Sequence, residues 1–202
     1  MVDTLKAWQE SVWEWFQHHA RSPYALVWLS AVAFFDAIFF PIAPEVFLVA
    51  LTLAHKERAR VYLATAAVSS AFGAVAGYFI AAFIFREFGE PILQFYNLEA
   101  AFHMARHFIS GHVFWAMAAA SFTPIPDKVF IYAGGFLAAP FGPFIVGYVL
   151  GRTARMALFV YLTEAYGRAV LDIMARYFKW VGVLLLALGI IYGMVHWHLL
   201  GF

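Results

Sequence analysis

The 202-residue sequence contains no cysteine. This absence excludes disulfides, thiol catalysis and zinc sites with cysteine ligands. Charged side chains are also scarce, since Asp, Glu, Lys and Arg make up 12% of the chain, whereas a soluble domain contains about 25%. The net charge of +1 gives no sign of a nucleic-acid-binding surface. Together these absences argue against a soluble domain and against a nucleic-acid partner.

The chain is instead rich in apolar and aromatic residues. Hydrophobic residues make up 64% of the chain and aromatic residues 20%, including seven Trp and ten Tyr. Trp and Tyr are typical of chains with much surface at the membrane–water interface. The composition therefore predicts an all-α integral membrane protein that forms a single membrane domain over residues 1–202.

The first long apolar run, residues 25–54, is broken near its middle by Pro41 and Pro44. An unbroken helix of that length would extend about 45 Å, beyond the roughly 30 Å hydrocarbon core of a bilayer. Each proline removes a backbone donor and disfavours helix at the residue before it. Asp36 and Glu45 place carboxylates on the two sides of the break. Because each half is too short to cross alone, we predict a re-entrant hairpin with a buried polar turn.

The remaining segments are predicted in the same way, from apolar runs, breaks in those runs and amphipathic stretches. They are an N-terminal amphipathic helix (1–21), a span (61–85), an amphipathic stretch up to residue 110, a second re-entrant hairpin (112–139) broken at Pro124 and Pro126, a tight turn (140–143), a span (144–165), an amphipathic stretch (166–179) and a C-terminal transmembrane helix (180–202). In the first span, Gly73 and Gly77 would let another helix approach closely; two small residues without that role are the alternative.

An internal repeat organises these segments, because three landmarks recur in the same order. The landmark pairs are 41–47 with 124–130, Phe72-Gly73…Gly77-Tyr78 with Phe141-Gly142…Gly147-Tyr148, and 88–93 with 166–171. They predict repeat 1 over 22–110 and repeat 2 over 111–179. Paired broken segments in two halves are typical of transporters with a site at the membrane midplane. The distribution of Lys and Arg favours re-entrant segments in an inverted repeat, with the N-terminus cytoplasmic and the C-terminus on the opposite side; broken segments that all cross the membrane are the alternative.

Arg152 and Arg155 lie near the middle of a span and three residues apart, hence on one helical face. An arginine at that depth costs at least about 2.5–3.5 kcal/mol, so both need partners in a polar site. Asp36, Glu45 and Asp127 are the candidate counter-charges.

The same set of residues has two interpretations. In the first, Arg152, Arg155 and Lys128 bind the phosphate of a headgroup, while Glu45, Asp36 and Asp127 act in proton coupling or as counter-charges. In the second, the ion pairs merely join the hairpins to the span.

Other chemistry has little support in the sequence. His103 and His107 have the spacing of metal ligands on one helical face, but no nearby carboxylate completes a set, so we predict no metal site and no cofactor. Ser121 and Thr123 lie in no nucleophile elbow, so we expect them to hydrogen-bond the broken backbone and expect no enzymatic activity.

Several motifs together resemble the DedA/VTT (SNARE-associated) membrane protein family, and most closely its YqaA-like branch. They are the Pro-x-x-Pro-Glu of residues 41–45, the glycine-rich span with Gly77-Tyr78, and the Phe-Thr-Pro-Ile-Pro-x-Lys-Val-Phe of 122–130 followed by Ala-Gly-Gly. The likeness covers roughly residues 25–178. It implies two opposed re-entrant hairpins and a role in moving lipids between leaflets, for which proton dependence has been proposed. Asp36 and Glu45 match the family's two acids, Lys128 lies near one family arginine, and Ser121 occupies the place of the other.

The leading functional prediction is therefore a flippase or scramblase of the cell inner membrane. Its substrate would be a phosphate-bearing lipid such as undecaprenyl phosphate or a phospholipid, and membrane lipids would be its partners. Two alternatives stay open, namely a proton-coupled transporter of a small soluble anion and a membrane scaffold or assembly factor that transports nothing. Assembly into a homo-oligomer is open as well.

Overall fold

The computed structural model describes residues 24–38, 44–95, 102–104, 106–107, 111–123, 126–167 and 169–170. The predictions for 1–21 and 180–202, and for Pro41 and Pro124, lie outside these residues, as does most of the amphipathic stretch predicted over 166–179.

Secondary structure in the described residues is helical throughout. The α-helices are α1 (Ala25–Ile38), α2 (Pro44–Ala54), α3 (Ala59–Ile84), α4 (Glu90–Phe95), α5 (Val113–Phe122), α6 (Asp127–Phe136) and α7 (Phe141–Tyr166). A 3-10 turn, Lys56–Arg58, precedes α3, and a π-turn, Phe85–Gly89, joins α3 to α4. The predicted all-α class is confirmed for this part of the chain.

Helices α3 and α7 are long and apolar enough to cross a membrane. Each has 26 residues and so extends about 39 Å, more than the roughly 30 Å of a hydrocarbon core. Large hydrophobic side chains on both helices point outward, among them Phe72, Phe79 and Phe83 on α3 and Leu150 and Tyr161 on α7. Exposed apolar side chains of this kind mark a surface that contacts lipid or another protein chain.

The two broken segments each consist of a pair of short helices. Helices α1 and α2 have 14 and 11 residues, and α5 and α6 have 10 each, whereas a span needs about 20. The members of each pair contact one another. The breaks fall where the prolines predicted them, since α2 begins at Pro44 and α6 begins directly after Pro126. Re-entry of these helices into the membrane stays a prediction.

Helix α1 packs along α3 with the backbones almost in contact. A Cβ atom at Gly73 would collide with the carbonyl oxygen of Phe34. Ser70 donates a hydrogen bond to the carbonyl oxygen of Ala33, and Gly77 lies beside the carbonyl oxygen of Ala37, so α1 and α3 run parallel. The close approach predicted for Gly73 and Gly77 is confirmed.

Helix α6 lies against another part of α3. A Cβ atom at Gly135 would collide with the carbonyl oxygen of Tyr78, and one at Gly77 would meet the side chain of Ile131. The hydroxyl of Tyr78 also donates a buried hydrogen bond to the carbonyl oxygen of Ala139, at 2.7 Å. Helices α1, α3 and α6 therefore form one closely packed set.

Helices α5 and α7 form a second closely packed pair. Cβ atoms at Gly147 and Gly151 would collide with the carbonyl oxygens of Phe114 and Ala118, respectively. Since the earlier glycine meets the earlier residue of α5, these two helices also run parallel.

The long helices α3 and α7 run antiparallel to each other. Residues early in α3 share a hydrophobic cluster with residues late in α7, and residues late in α3 share another with residues early in α7. The first cluster contains Tyr62, Ala66, Met156 and Val160, and the second contains Ala74, Tyr78, Phe144 and Tyr148. The α1–α3 and α5–α7 pairs therefore point in opposite directions.

The predicted tight turn at residues 140–143 is wrong. Helix α7 already begins at Phe141, so Gly142 and Pro143 lie in its first turn. A proline is tolerated there because the first amide groups of a helix have no intrahelical acceptor. The chain turns instead before Pro140, where Ala138 adopts a left-handed conformation with φ of 46°.

Substitution of Gly151 by alanine is expected to destabilise the protein by about 1–3 kcal/mol, because the added methyl group must separate α5 from α7. Gly142 provides the matched control, since it lies in the same helix and a Cβ there meets nothing within 4 Å. Gly142→Ala should leave the unfolding midpoint unchanged or raise it. Thermal unfolding of the purified protein in detergent measures both, and equal midpoints for the two variants would contradict the described α5–α7 contact.

Candidate functional site

Charged side chains converge where the broken helices meet α7. Asp36 lies in the last turn of α1, Glu45 in the first turn of α2, Asp127 and Lys128 in the first turn of α6, and Arg152 and Arg155 in the middle of α7. Two of these positions have a local electrostatic reason, because the carboxylates of Glu45 and Asp127 lie at helix N-termini, where the helix dipole favours negative charge.

Arg152 is the centre of the cluster, and its side chain is only 2% exposed. Its Nη1 donates a hydrogen bond to Oδ2 of Asp127 at 2.6 Å, and its Nη2 donates one to Oδ2 of Asp36. Oε1 of Glu45 lies 3.9 Å from the same Nη2. One guanidinium thus contacts carboxylates from three helices, which compensates the cost of burying its charge.

Arg155 and Lys128 extend the network outward. Nη2 of Arg155 lies 2.8 Å from Oε1 of Glu45, and its Nη1 donates a hydrogen bond to the carbonyl oxygen of Thr123 at 2.7 Å. That carbonyl follows the last residue of α5, where a helix end leaves acceptors unused. Nζ of Lys128 lies 2.9 Å from Oδ1 of Asp36. Each of these two cations therefore pairs with one carboxylate.

The cluster has a closed interior and a more open edge. The side chains of the three carboxylates are 3–5% exposed, whereas those of Arg155 and Lys128 are 13% and 22% exposed. Three cations face three carboxylates, so the formal charges cancel. A ligand that approaches this cluster would meet Lys128 and Arg155 first, while Arg152 would be reached last.

The structure brings together all six charged residues that the sequence singled out; their assignment to phosphate binding or to proton coupling stays a prediction.

Thr123 forms the expected backbone hydrogen bond, from its Oγ1 to the carbonyl oxygen of Ala119 at 2.8 Å. The expectation for Ser121 is wrong, because its buried Oγ has no hydrogen-bond partner among the described residues. Within the same residues, no group of three or more His, Asp or Glu side chains is placed to hold a metal ion.

Sequence reasoning missed Tyr148 as a member of the site. Its fully buried hydroxyl also lacks a hydrogen-bond partner among the described residues. Tyr148 precedes Arg152 by four residues, which places both on one face of α7, so the spacing alone could have identified it.

Comparison with known proteins identifies relatives that align with most of this chain. An uncharacterized protein of Haemophilus influenzae is 32% identical over 145 residues, which cover 72% of this chain and 73% of the relative. This chain belongs to the same family. An uncharacterized protein of Histophilus somni is 27% identical over 77% of the chain and 78% of its own length.

A further relative is an uncharacterized protein of Methanocaldococcus jannaschii. It is 27% identical over 64% of the chain and 78% of its own length. No family model matches the chain, and no solved structure matches it.

Substitution of Arg152 by glutamine is expected to lower the free energy of unfolding by about 3–5 kcal/mol, because Asp36 and Asp127 would then be buried without their main counter-charge. Asp127→Asn in the same chain should recover part of this loss, so that the double variant loses at least ~1 kcal/mol less than the sum of the single variants.

Denaturant unfolding of the purified protein in detergent measures this coupling. The exposed Arg60 provides the control, and Arg60→Gln should change the free energy of unfolding by less than about 0.5 kcal/mol. Strictly additive losses for Arg152→Gln and Asp127→Asn would contradict a direct energetic contact between the two side chains.

Proposed function

We propose that this protein is a membrane lipid transporter, a flippase or scramblase that moves a phosphate-bearing lipid between leaflets. The observation that carries the proposal is the neutral cluster of three cations and three carboxylates, buried at its centre and partly open at Lys128 and Arg155. Replacing buried ion pairs by apolar side chains is often neutral or stabilising. Six buried or half-buried charges are therefore better explained by a ligand that needs them than by helix packing alone.

The proposed architecture is an inverted repeat of two re-entrant hairpins, each followed by a spanning helix and an amphipathic helix, with a final spanning helix over 180–202. Its support is the antiparallel course of α3 and α7, together with the parallel course of α1 with α3 and of α5 with α7. Inverted repeats of broken helices place substrate sites where the breaks meet.

We also propose that the protein is a member of the DedA/VTT family, YqaA-like branch. The support for this is the set of motifs described in the sequence analysis.

In the proposed mechanism, the lipid phosphate exchanges with carboxylates at the open edge of the cluster. Phosphate oxygens replace Asp36 at Lys128 and Glu45 at Arg155, because both cations bind phosphate as readily as carboxylate. The released carboxylates can then take up protons, which keeps the buried site close to neutral. The acyl chains stay against the apolar exterior of α3 and α7.

The proposed location is the cell inner membrane, with several passes through it. The cluster of Lys56, Arg58 and Arg60, in the loop before α3 and the first turn of α3, supports a cytoplasmic side for that loop and for the N-terminus, and the opposite side for the C-terminus.

Reconstitution in liposomes tests the proposal with labelled undecaprenyl phosphate and labelled phospholipid, read out by the accessibility of the label in the outer leaflet. The wild-type protein should move at least one of them faster than protein-free vesicles do. Lys128→Gln and Arg155→Gln should each slow transport by about tenfold or more, because a charged hydrogen bond is lost from the bound state. Arg60→Gln should transport like the wild type.

A transport rate equal to that of empty vesicles for every lipid would show that lipid transport is wrong. Uptake of labelled inorganic phosphate into the same liposomes would then favour a transporter of a soluble anion. Absence of both activities would favour a membrane scaffold.

A further inference from the structure

The two halves of the chain carry matching Gly-Tyr pairs whose tyrosines have different surroundings. The hydroxyl of Tyr78 donates a hydrogen bond to the carbonyl oxygen of Ala139, which links α3 to the turn after α6. The hydroxyl of Tyr148 is fully buried and has no partner among the described residues. Tyr78 therefore has a structural hydrogen bond, whereas the polar group of Tyr148 is not used by the fold that surrounds it.

Tyr148 lies beside the charged cluster. It is one helical turn before Arg152 on α7, and its ring is close enough to interact electrostatically with Arg152, Asp127 and Asp36. Tyr148 therefore borders both the second hydrophobic cluster, which it shares with Phe144, and the charged cluster around Arg152.

Ser121 approaches the same region from α5. Its neighbours on that helix lie against α7, since Ala118 contacts Gly151 and the carbonyl of Thr123 accepts a hydrogen bond from Arg155. Ser121 lies between those two contacts, is fully buried, and its hydroxyl has no partner in the described part of the chain.

The guanidinium groups contribute further unused donors. Nε of Arg152 and Nε of Arg155 are buried without an acceptor among the described residues, although the terminal nitrogens of both arginines are paired. Two hydroxyls, on α5 and α7, and two N–H groups, on α7, thus have no acceptor among the described residues. Buried donors without acceptors are strongly unfavourable, and a concentration of donors suits a group rich in oxygen acceptors.

We propose that Tyr148, Ser121 and Nε of Arg152 form the inner end of the binding site and donate hydrogen bonds to a phosphate group. This inference rests on the proposed function and adds uncharged ligands to it. A phosphate accepts several hydrogen bonds at once, and hydroxyl donors bind it without adding charge to a cluster that is already neutral. The phosphate enters at Lys128 and Arg155 and reaches Tyr148 when the carboxylates around Arg152 give way.

The test measures phosphate binding by the full-length protein through the rise of its unfolding midpoint with ligand concentration. One arm adds inorganic phosphate to the protein in detergent. The other places the protein in phosphatidylcholine nanodiscs that contain increasing fractions of phosphatidic acid. A response to phosphatidic acid alone identifies the lipid headgroup as the source of the phosphate, whereas a response to both identifies a site that also accepts the free anion; either supports the proposal.

Tyr148→Phe should raise the half-saturating concentration by about tenfold or more, while the midpoint without ligand stays at the wild-type value or rises, because a buried hydroxyl without an acceptor is removed. Ser121→Ala should act in the same direction. Tyr78→Phe is the matched control, since it should lower the midpoint without ligand and leave the half-saturating concentration unchanged.

Unchanged half-saturating concentrations in both Tyr148→Phe and Ser121→Ala would overturn the inference. If the wild-type protein still transports lipid in that case, the proposed function stands and only the two hydroxyls are excluded. Failure of the wild type to bind phosphate in either arm, together with failure to transport lipid, would overturn both.

Discussion

The buried guanidinium of Arg152 is the constraint on which the rest of the structure depends. Water is excluded from it, so its charge must be compensated by carboxylates at hydrogen-bond distance. Asp127 and Asp36 provide this compensation from α6 and α1. Both acids lie at the broken ends of their helices, Asp36 in the last turn of α1 and Asp127 in the first turn of α6. Arg152 thereby gives a charged partner to helix ends that would otherwise be polar groups inside an apolar domain.

Much of the site was predictable because charge in an apolar span is costly. Arg152 and Arg155 needed partners at their own depth, and the sequence offers Asp36, Glu45 and Asp127 beside the two proline breaks. The breaks themselves followed from the loss of backbone donors at proline. The same reasoning placed a turn wrongly at 140–143, because a proline inside the first helical turn looks, in sequence, like a proline that ends a helix.

The assignment of partners could not be predicted, because it depends on how helices pack rather than on residue type. The sequence treats Arg152, Arg155 and Lys128 as three equivalent cations. In the folded protein Arg152 is enclosed by carboxylates, whereas Lys128 keeps an exposed edge. Tyr78 and Tyr148 both follow a glycine in matching motifs, and in the sequence they differ only in that an arginine follows Tyr148 by four residues. The hydrogen bond from Tyr78 to the carbonyl oxygen of Ala139 depends on helix packing and could not be predicted.

The glycine contacts join five of the described α-helices into two closely packed units. Backbone-to-backbone contact joins α1, α3 and α6 in one unit and α5 and α7 in the other, and such contacts resist sliding because no side chain between them can change rotamer. The pair of Lys128 with Asp36 lies within the first unit, whereas the pairs of Arg152 with Asp36 and Asp127 cross the boundary. Movement of one unit against the other would consequently be resisted at this boundary by electrostatic attraction, and neutralising a single carboxylate would weaken the resistance without loosening either unit.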